Sequence, residues 1–295
     1  MSNEKELLKL DDYRRVFCGL LSRQVRLIDV AIHSILKRDE FEGDQQVEVQ
    51  TILLMLQGMG VSAHSILNLS QTINMGVRDC YGIARTVVET GINIAYIVAG
   101  GSDTVQKARR HAEQKTFRDL NRTAVIGPFM FKAARLGPLP DASAIPGLKE
   151  ALDEFTNKKG REIRSWTNDN IDDRLHQIEE RFPGGTLLFA GALAQVYRYS
   201  SEILHGTYFG SIYFWTGGSK RPSNRAETEW VLFSTHLVSV ISACLFAIRA
   251  VIEILERHYG MVETKEENAR ILELLVETVE EHLVHLSPED FFGPA

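Results

Sequence analysis

Arg198 and His205 stand seven residues apart, just past the apolar stretch Thr186–Tyr197, with Ser201 and Glu202 between them. Histidine is the side chain whose ordinary pKa, about 6.5, suits proton transfer near neutral pH. A neighbouring arginine can hold phosphoryl oxygens through paired hydrogen bonds. His205 moving a proton and Arg198 holding the phosphate would suffice, without metal, to cleave RNA through its own 2′-hydroxyl. A second pair, Arg85 and Glu89, lies four residues apart, and the thirteen residues that follow Glu89 are uncharged until Asp103. Arg78 precedes Arg85 by seven. These spacings put Arg198, Glu202 and His205 on one helical stripe and Arg78, Arg85 and Glu89 on another. A charge buried without a partner is costly, so the two stripes are expected to face each other. Glu89 would then lie near Arg198 or His205, and Glu202 near Arg85. The same residues also read as a buried salt-bridge network that fixes helix register. On the residues alone both readings stay open.

Arg198-x6-His205 fits the Arg-x4–6-His motif of the HEPN superfamily of helical ribonucleases and nucleotide-binding proteins. Arg85-x3-Glu89 on an earlier helix, with Ser201-x3-His205-Gly206 later, resembles a bacterial family of HEPN-like helical proteins, over about residues 50–206. The resemblance implies a helical bundle, a homodimer with facing Arg–His motifs and, in active members, metal-independent endoribonuclease activity in toxins or anti-phage effectors. It implies Arg198, His205, Glu89 and Glu202 as the catalytic set, with Arg85 and Ser201 in support. Tyr199 stands where the family commonly has Asn, Asp or His.

A basic stripe follows the Arg85 helix. Lys107, His111, Lys115, Arg118 and Arg122 recur every three or four residues, with Arg109 and Arg110 beside them. Residues 107–122 hold six Lys or Arg against Glu113 and Asp119, a local charge of +4. Such a stripe is either a solvated helix face or a phosphate-binding surface, in which case Lys107, Arg110, Lys115, Arg118 and Arg122 contact RNA. Residues 263–281 are its acidic counterpart and read as solvent-facing. His64 reads as a hydrogen-bonded core residue. His282 and His285, with Glu281 close by, lack any geometry that would fix a metal, so no metal site and no cofactor are expected. Tyr208, Phe209, Tyr213, Phe214 and Trp215 could stack bases, but packing beneath the glycine-rich loop suits them better.

Familiar catalytic signatures are missing. No GxxxxGK[ST], strand-anchored GxGxxG, HExxH or GxSxG occurs, which weighs against NTPases, Rossmann oxidoreductases, zincins and α/β-hydrolases. Cys18, Cys80 and Cys244 form no CxxC pair and indicate neither disulfide framework nor zinc site. The chain has 295 residues, 44% of them hydrophobic and 24% charged, which rules out disorder and fibrous folds. Its net charge of −6 argues against a whole-molecule grip on nucleic acid. The charged start has no apolar signal core, so the cytoplasm is expected. Val231–Ile248 and Ile52–Val77 lack Asp, Glu, Lys and Arg, yet each is interrupted by polar residues. They read as central helices of a soluble bundle covered by neighbours, and no membrane partner is expected.

All eight prolines lie at or after Pro128, so the first 127 residues read as nearly continuous helix. Phe17, Leu20, Leu21, Leu27, Ile28, Ala31, Ile32 and Ile35 recur at helical spacing. Asp44 is a plausible N-cap for a second helix, a third runs from Arg78 to Gly100-Gly101, and a fourth reaches about Arg122. Residues 126–147, rich in Gly and Pro, leave room for one short helix at Met130–Leu136. Helices then follow over Leu148–Asn157, Asp172–Arg181, Thr186–His205, Arg225–Tyr259 and Glu263–Leu286. The expectation is an all-α protein, an elongated helical bundle with a HEPN-like core. It forms one domain over 1–295, with core helices at about 5–122 and 186–286 and an irregular insertion at about 123–185. A HEPN-like endoribonuclease, expected as a homodimer, leads the functional readings. A non-catalytic helical module that binds a nucleotide, RNA or a protein is the alternative.

Overall fold

The computed structural model describes residues 2–38, 41–134, 140–218 and 220–280. Glu281, His282, His285 and the end of the last helix lie outside them. Helical periodicity is realised nearly throughout, as α1 Ser2–Leu36, α2 Gly43–Leu69, α3 Val77–Asp119, α4 Leu148–Glu154, α5 Ile171–Arg181, α6 Leu187–Leu204, α7 Tyr208–Thr216, α8 Arg225–Val231, α9 Val238–Tyr259 and α10 Lys265–Thr278. The fold is all-α, with one two-stranded sheet among the described residues. The chain divides into two compact units, Met1–Ala99 with Arg174–Ala295, and Gly100–Asp173. The inserted unit thus begins within α3, ahead of the boundary near 123 that composition indicated. Gly101, at φ +63° and ψ −150°, is the break in α3. Only glycine adopts that backbone freely.

In the first unit α9 is the central element. From Val240 to Leu255 nearly every apolar side chain is buried, Ile241, Ile248, Val251 and Ile252 among them. It packs on α6 and α1, while α1 also packs on α2, and α10 on α1 and α9. Phe17, Leu21, Ile28 and Ile35 are the fully buried side of α1. Each such side chain contributes roughly 1.5–3 kcal/mol by leaving water. α3 enters the same core at Gly91, where a Cβ would lie 3.1 Å from Phe189 and Val251 and 3.2 Å from Met59. Absence of a side chain there is what lets α3 approach α6, α9 and α2 together. Asp44 is not the cap of α2; the helix starts at Gly43 behind Glu42, with Asp44 in the first turn, where the helix dipole favours its charge.

Among the described residues two helices are long and apolar enough to cross a membrane by length and composition alone: Gly43–Leu69, and Arg225–Tyr259, where α8 and α9 run on through a π-helical turn at Leu232–Leu237. The most apolar window of the second is 72% buried and forms the core. That of the first is only 33% buried, with Leu54 and Val61 facing out. Neighbours therefore cover α9 as expected, but cover one side only of α2. His64 is also exposed, not a core residue, because it falls on that outer side.

The second unit corrects the sequence reading at one place. Residues 129–134 form no helix; β1 Asn121–Ile126 and β2 Phe129–Ala134 pair antiparallel, with Val125 opposite Met130 and Ile126 opposite Phe129. Gly127 turns the chain at φ +59° before Pro128, a position where a two-residue hairpin loop favours glycine. β-branched and aromatic residues on both sides of that turn favour strands. They are apolar on both faces, so the period-two alternation that announces a half-buried strand is absent.

Candidate functional site

α6 carries the Arg–His pair, and its own apolar pattern decides where they point. Phe189, Ala192, Val196, Ser200 and Ile203 recur at three and four residues and are buried. Arg198 and His205 each fall two residues from a member of that stripe, roughly 200° around the helix, and both are exposed. Glu202 shares their side, half-buried. The expected stripe therefore exists, but it faces outward, away from the packed side of α6.

Arg85 and Glu89 take a different course. The Arg85 Nε donates to Glu89 Oε1 at 2.8 Å, on its own helix. The Arg85 Nη2 donates to the Tyr197 hydroxyl at 3.3 Å, and its guanidinium carbon lies 4.3 Å from the Tyr197 ring centre. Side chains in the pair are 25% and 39% exposed, so the site is a half-open ion pair and not a buried network. Arg78 donates through Nη2 to the Ile203 carbonyl at 3.2 Å, satisfying one of the free carbonyls that end α6. Among the described residues no ion pair or hydrogen bond joins Arg85 or Glu89 to Arg198, Glu202 or His205. The pairings expected of Glu89 with Arg198 or His205, and of Glu202 with Arg85, are not formed. The charges are settled by closer partners: Glu89 by its own helix, Glu202 by the following turn.

That turn uses Glu202 structurally. Thr207 donates its hydroxyl to Glu202 Oε2 at 2.6 Å and accepts the Gly210 amide at 3.0 Å, capping α7. A Cβ on Gly210 would lie 2.5 Å from the Glu202 carbonyl, so α7 starts against the end of α6 where no side chain fits. Gly206 reverses the chain at φ +63°. His205 occupies the C-terminal cap of α6 just before this turn. Ser201 is half-buried on the same turn of helix. Arg198 lies over Phe209, its guanidinium carbon 5.7 Å from the ring centre, and has no carboxylate partner among the described residues. Leu204, Tyr208, Phe209, Ile212 and Trp215 are exposed apolar residues at this end of the molecule, with Tyr208 84% accessible. The aromatic run thus divides: α7 turns Phe214 inward and Tyr208 outward, so packing beneath the loop holds for only part of it.

Behind this surface lies a site the spacing did not reveal. His236, in the π-helical turn, is fully buried. Its Nε2 is 2.9 Å from the Phe214 carbonyl, which can only accept, so Nε2 carries the hydrogen. Nδ1, 2.9 Å from the Tyr81 hydroxyl, therefore accepts from it. Burial lowers the His236 pKa to about 4, against a weaker opposing pull from the Phe214 carbonyl. Burial likewise raises the Tyr81 phenol, helped by the Tyr213 phenol nearby. Tyr213 stacks on Tyr199 with ring centres 4.0 Å apart and meets His236 edge-on at 5.2 Å. Tyr199, the odd residue after the motif arginine, is thus held by α7. The only sequence signal for this cluster is a histidine inside an uncharged stretch, and π-helical turns frequently mark functional positions.

The basic stripe is largely paired within its own unit. Arg110 grips Glu154 at 2.6 and 3.3 Å, and Arg122 pairs with Asp119 at 2.8 Å and with Glu162 at 3.0 Å. Arg118 donates to Gln114, the Leu152 carbonyl and the Thr156 hydroxyl. His111 stacks edge-on against Phe155. Lys107 and Lys115 have no ion-pair partner among the described residues. Of the five cations assigned to RNA, three hold the inserted unit together. A cleft of about 350 Å³ lies between Arg118, Arg122 and Glu162, whereas Arg198 and His205 sit on an open surface.

Compared with protein-family models, with curated proteins and with solved structures, the chain matches none.

Proposed function

We propose that the protein is a metal-independent endoribonuclease of HEPN-like type whose chemistry is carried by Arg198 and His205. One observation carries this: among the described residues Arg198 has no carboxylate to neutralise it, and it shares the open side of α6 with an exposed histidine, while Arg85, Arg110 and Arg122 are each closed by an acid. Uncommitted, the guanidinium is available to two phosphoryl oxygens. Seven residues separate the pair, roughly 10 Å along the axis, so they bracket a length of RNA backbone. His205 takes the proton of the 2′-hydroxyl as its oxygen attacks phosphorus. The bond to the 5′-oxygen breaks and that oxygen takes a proton from water, while the His205 imidazolium returns its proton to solvent, leaving 2′,3′-cyclic phosphate and 5′-hydroxyl ends. Exposed Tyr208 and Phe209 offer rings for unpaired bases. Glu89 and Glu202 drop out of the catalytic set, since each is committed to a neighbour. The homodimer belongs to the same proposal: Leu204, Tyr208 and Ile212 leave an apolar rim that a second copy would cover.

Purified protein is expected to cut single-stranded RNA in EDTA, with His205→Ala and Arg198→Ala each reducing the rate by roughly a hundredfold or more. Undiminished cutting by His205→Ala would remove the assignment. A second reading, binding without cleavage, is favoured by the stacking of Arg198 on Phe209. It is distinguished by wild-type protein that retards RNA, leaves it intact, and loses that retention in Arg198→Ala.

A further inference from the structure

We infer that the hairpin Asn121–Ala134 is the element through which this protein contacts an anionic lipid surface. From Ala124 to Phe131 the chain reads Ala-Val-Ile-Gly-Pro-Phe-Met-Phe, eight residues with no polar side chain. Val125, Ile126, Phe129, Met130 and Phe131 are between 54% and 74% exposed, the densest run of exposed large apolar side chains in the described chain. Cross-strand pairing puts Val125 and Met130 on one face, and Ile126, Phe129 and Phe131 on the other. Both faces are therefore apolar and both are uncovered. A protein groove covers one face of a ribbon; immersion in an apolar medium covers two. Single-stranded nucleic acid would stack on the two phenylalanines but has no use for Val125, Ile126 and Met130.

Charge supplies the complement. Residues 100–134, α3 from its break onward together with the hairpin, hold seven Lys and Arg against three Asp and Glu, a local charge of +4 in a chain of −6. The rest of the inserted unit, 135–173, contributes −2, partly through Glu154 and Glu162. Lys132, opposite Thr123 at the base of the apolar tip, is exposed and has no ion-pair partner among the described residues. Cations at the rim of an apolar tip are the arrangement that anionic headgroups attract.

Geometry limits the depth. Among the described residues no third strand pairs with either outer edge, and unpaired backbone groups are not tolerated in the hydrocarbon core. The three pairs from Ala124–Phe131 to Ile126–Phe129 span roughly 7 Å, which reaches the boundary between headgroups and chains and no further. The contact is thus peripheral, and the polar residues that argue against a spanning helix do not bear on it.

The test is sedimentation of the intact chain with phosphatidylcholine vesicles, with and without phosphatidylserine. Binding to the phosphatidylserine vesicles is expected, weakening as salt rises, and Ile126→Ser combined with Phe129→Ser lowers the bound fraction roughly tenfold or more. Both side chains are exposed, so an unchanged melting temperature shows that the variant is folded. Absence of vesicle binding at low salt overturns the inference. So does equal binding by the double variant, or a double variant that loses RNA binding or self-association while vesicle binding stays intact.

Discussion

His205 and His236 are both set among apolar neighbours in sequence, yet the structure treats them oppositely. His236 is enclosed, with one nitrogen donating to the Phe214 carbonyl and the other accepting from Tyr81. His205 ends α6 with its ring in solvent. The difference follows from the helix beneath each. α9 and the turn before it are buried nearly all round, so a polar residue there must find fixed partners. α6 has one buried stripe, so a residue two places off it stays free. An imidazole with both nitrogens committed holds structure; one with neither committed is available to a substrate.

The largest effect expected from breaking this contrast is at the buried site. His236→Ala removes a packed ring and, with it, the hydrogen bonds to the Tyr81 hydroxyl and the Phe214 carbonyl. Losses of this kind add to about 3–5 kcal/mol, so denaturant or thermal unfolding of His236→Ala should show the protein severely destabilised. A loss under 1 kcal/mol would mean that water replaces the ring and that the site is not closed.

pH sharpens the same contrast. The folded pKa of His236, about 4, lies below its ordinary 6.5. The unfolded chain therefore binds a proton that the folded chain refuses between those values. Stability from this group is complete above pH 6.5, and is lost as pH falls toward 4. The loss should amount to about 3 kcal/mol by linkage. Unfolding free energies measured from pH 7 to pH 4 should show this decline, and the less basic amide of His236→Gln should flatten it. A variant with the same slope as wild type would assign the decline to other groups.

Between the two extremes lies the half-open pair. Arg85→Ala leaves Glu89 enough solvent to be rehydrated, so its cost should be modest, up to about 1 kcal/mol. Several kcal/mol would instead restore the buried-network reading of that stripe. The two stripes show how far sequence reaches. Spacing correctly put Arg198, Glu202 and His205 along one side of α6, and Arg85 beside Glu89, because helical geometry is local. The supposition that the stripes meet treated each charge as buried. Arg198 and His205 are exposed, and Thr207 satisfies Glu202 within five residues. Most helix positions elsewhere were legible for the same local reason, α8 and α9 included, whereas α7 was read only as an aromatic run before a loop. The hairpin was not, since strands uncovered on both faces lack the alternation that burial imposes. His236 was visible only as a polar interruption, because its partners, Tyr81 and Phe214, come from distant helices and no spacing encodes them.

The smallest expected effect is the most discriminating. His205→Ala removes an exposed ring, at a helix end already closed by the His205 and Gly206 amides, which donate to the Ser201 and Ile203 carbonyls. Those bonds belong to the backbone and survive the substitution. Unfolding free energy should therefore stay within about 0.5 kcal/mol of wild type, and Arg198→Ala should add only the loss of its contact with Phe209. Set against His236→Ala, this separates two explanations of any lost activity. If His205→Ala is as stable as wild type and inactive on RNA, the ring acts on substrate. If it unfolds as readily as His236→Ala, then its surroundings are closed by contacts that an open surface does not supply, and the difference drawn between the two histidines disappears.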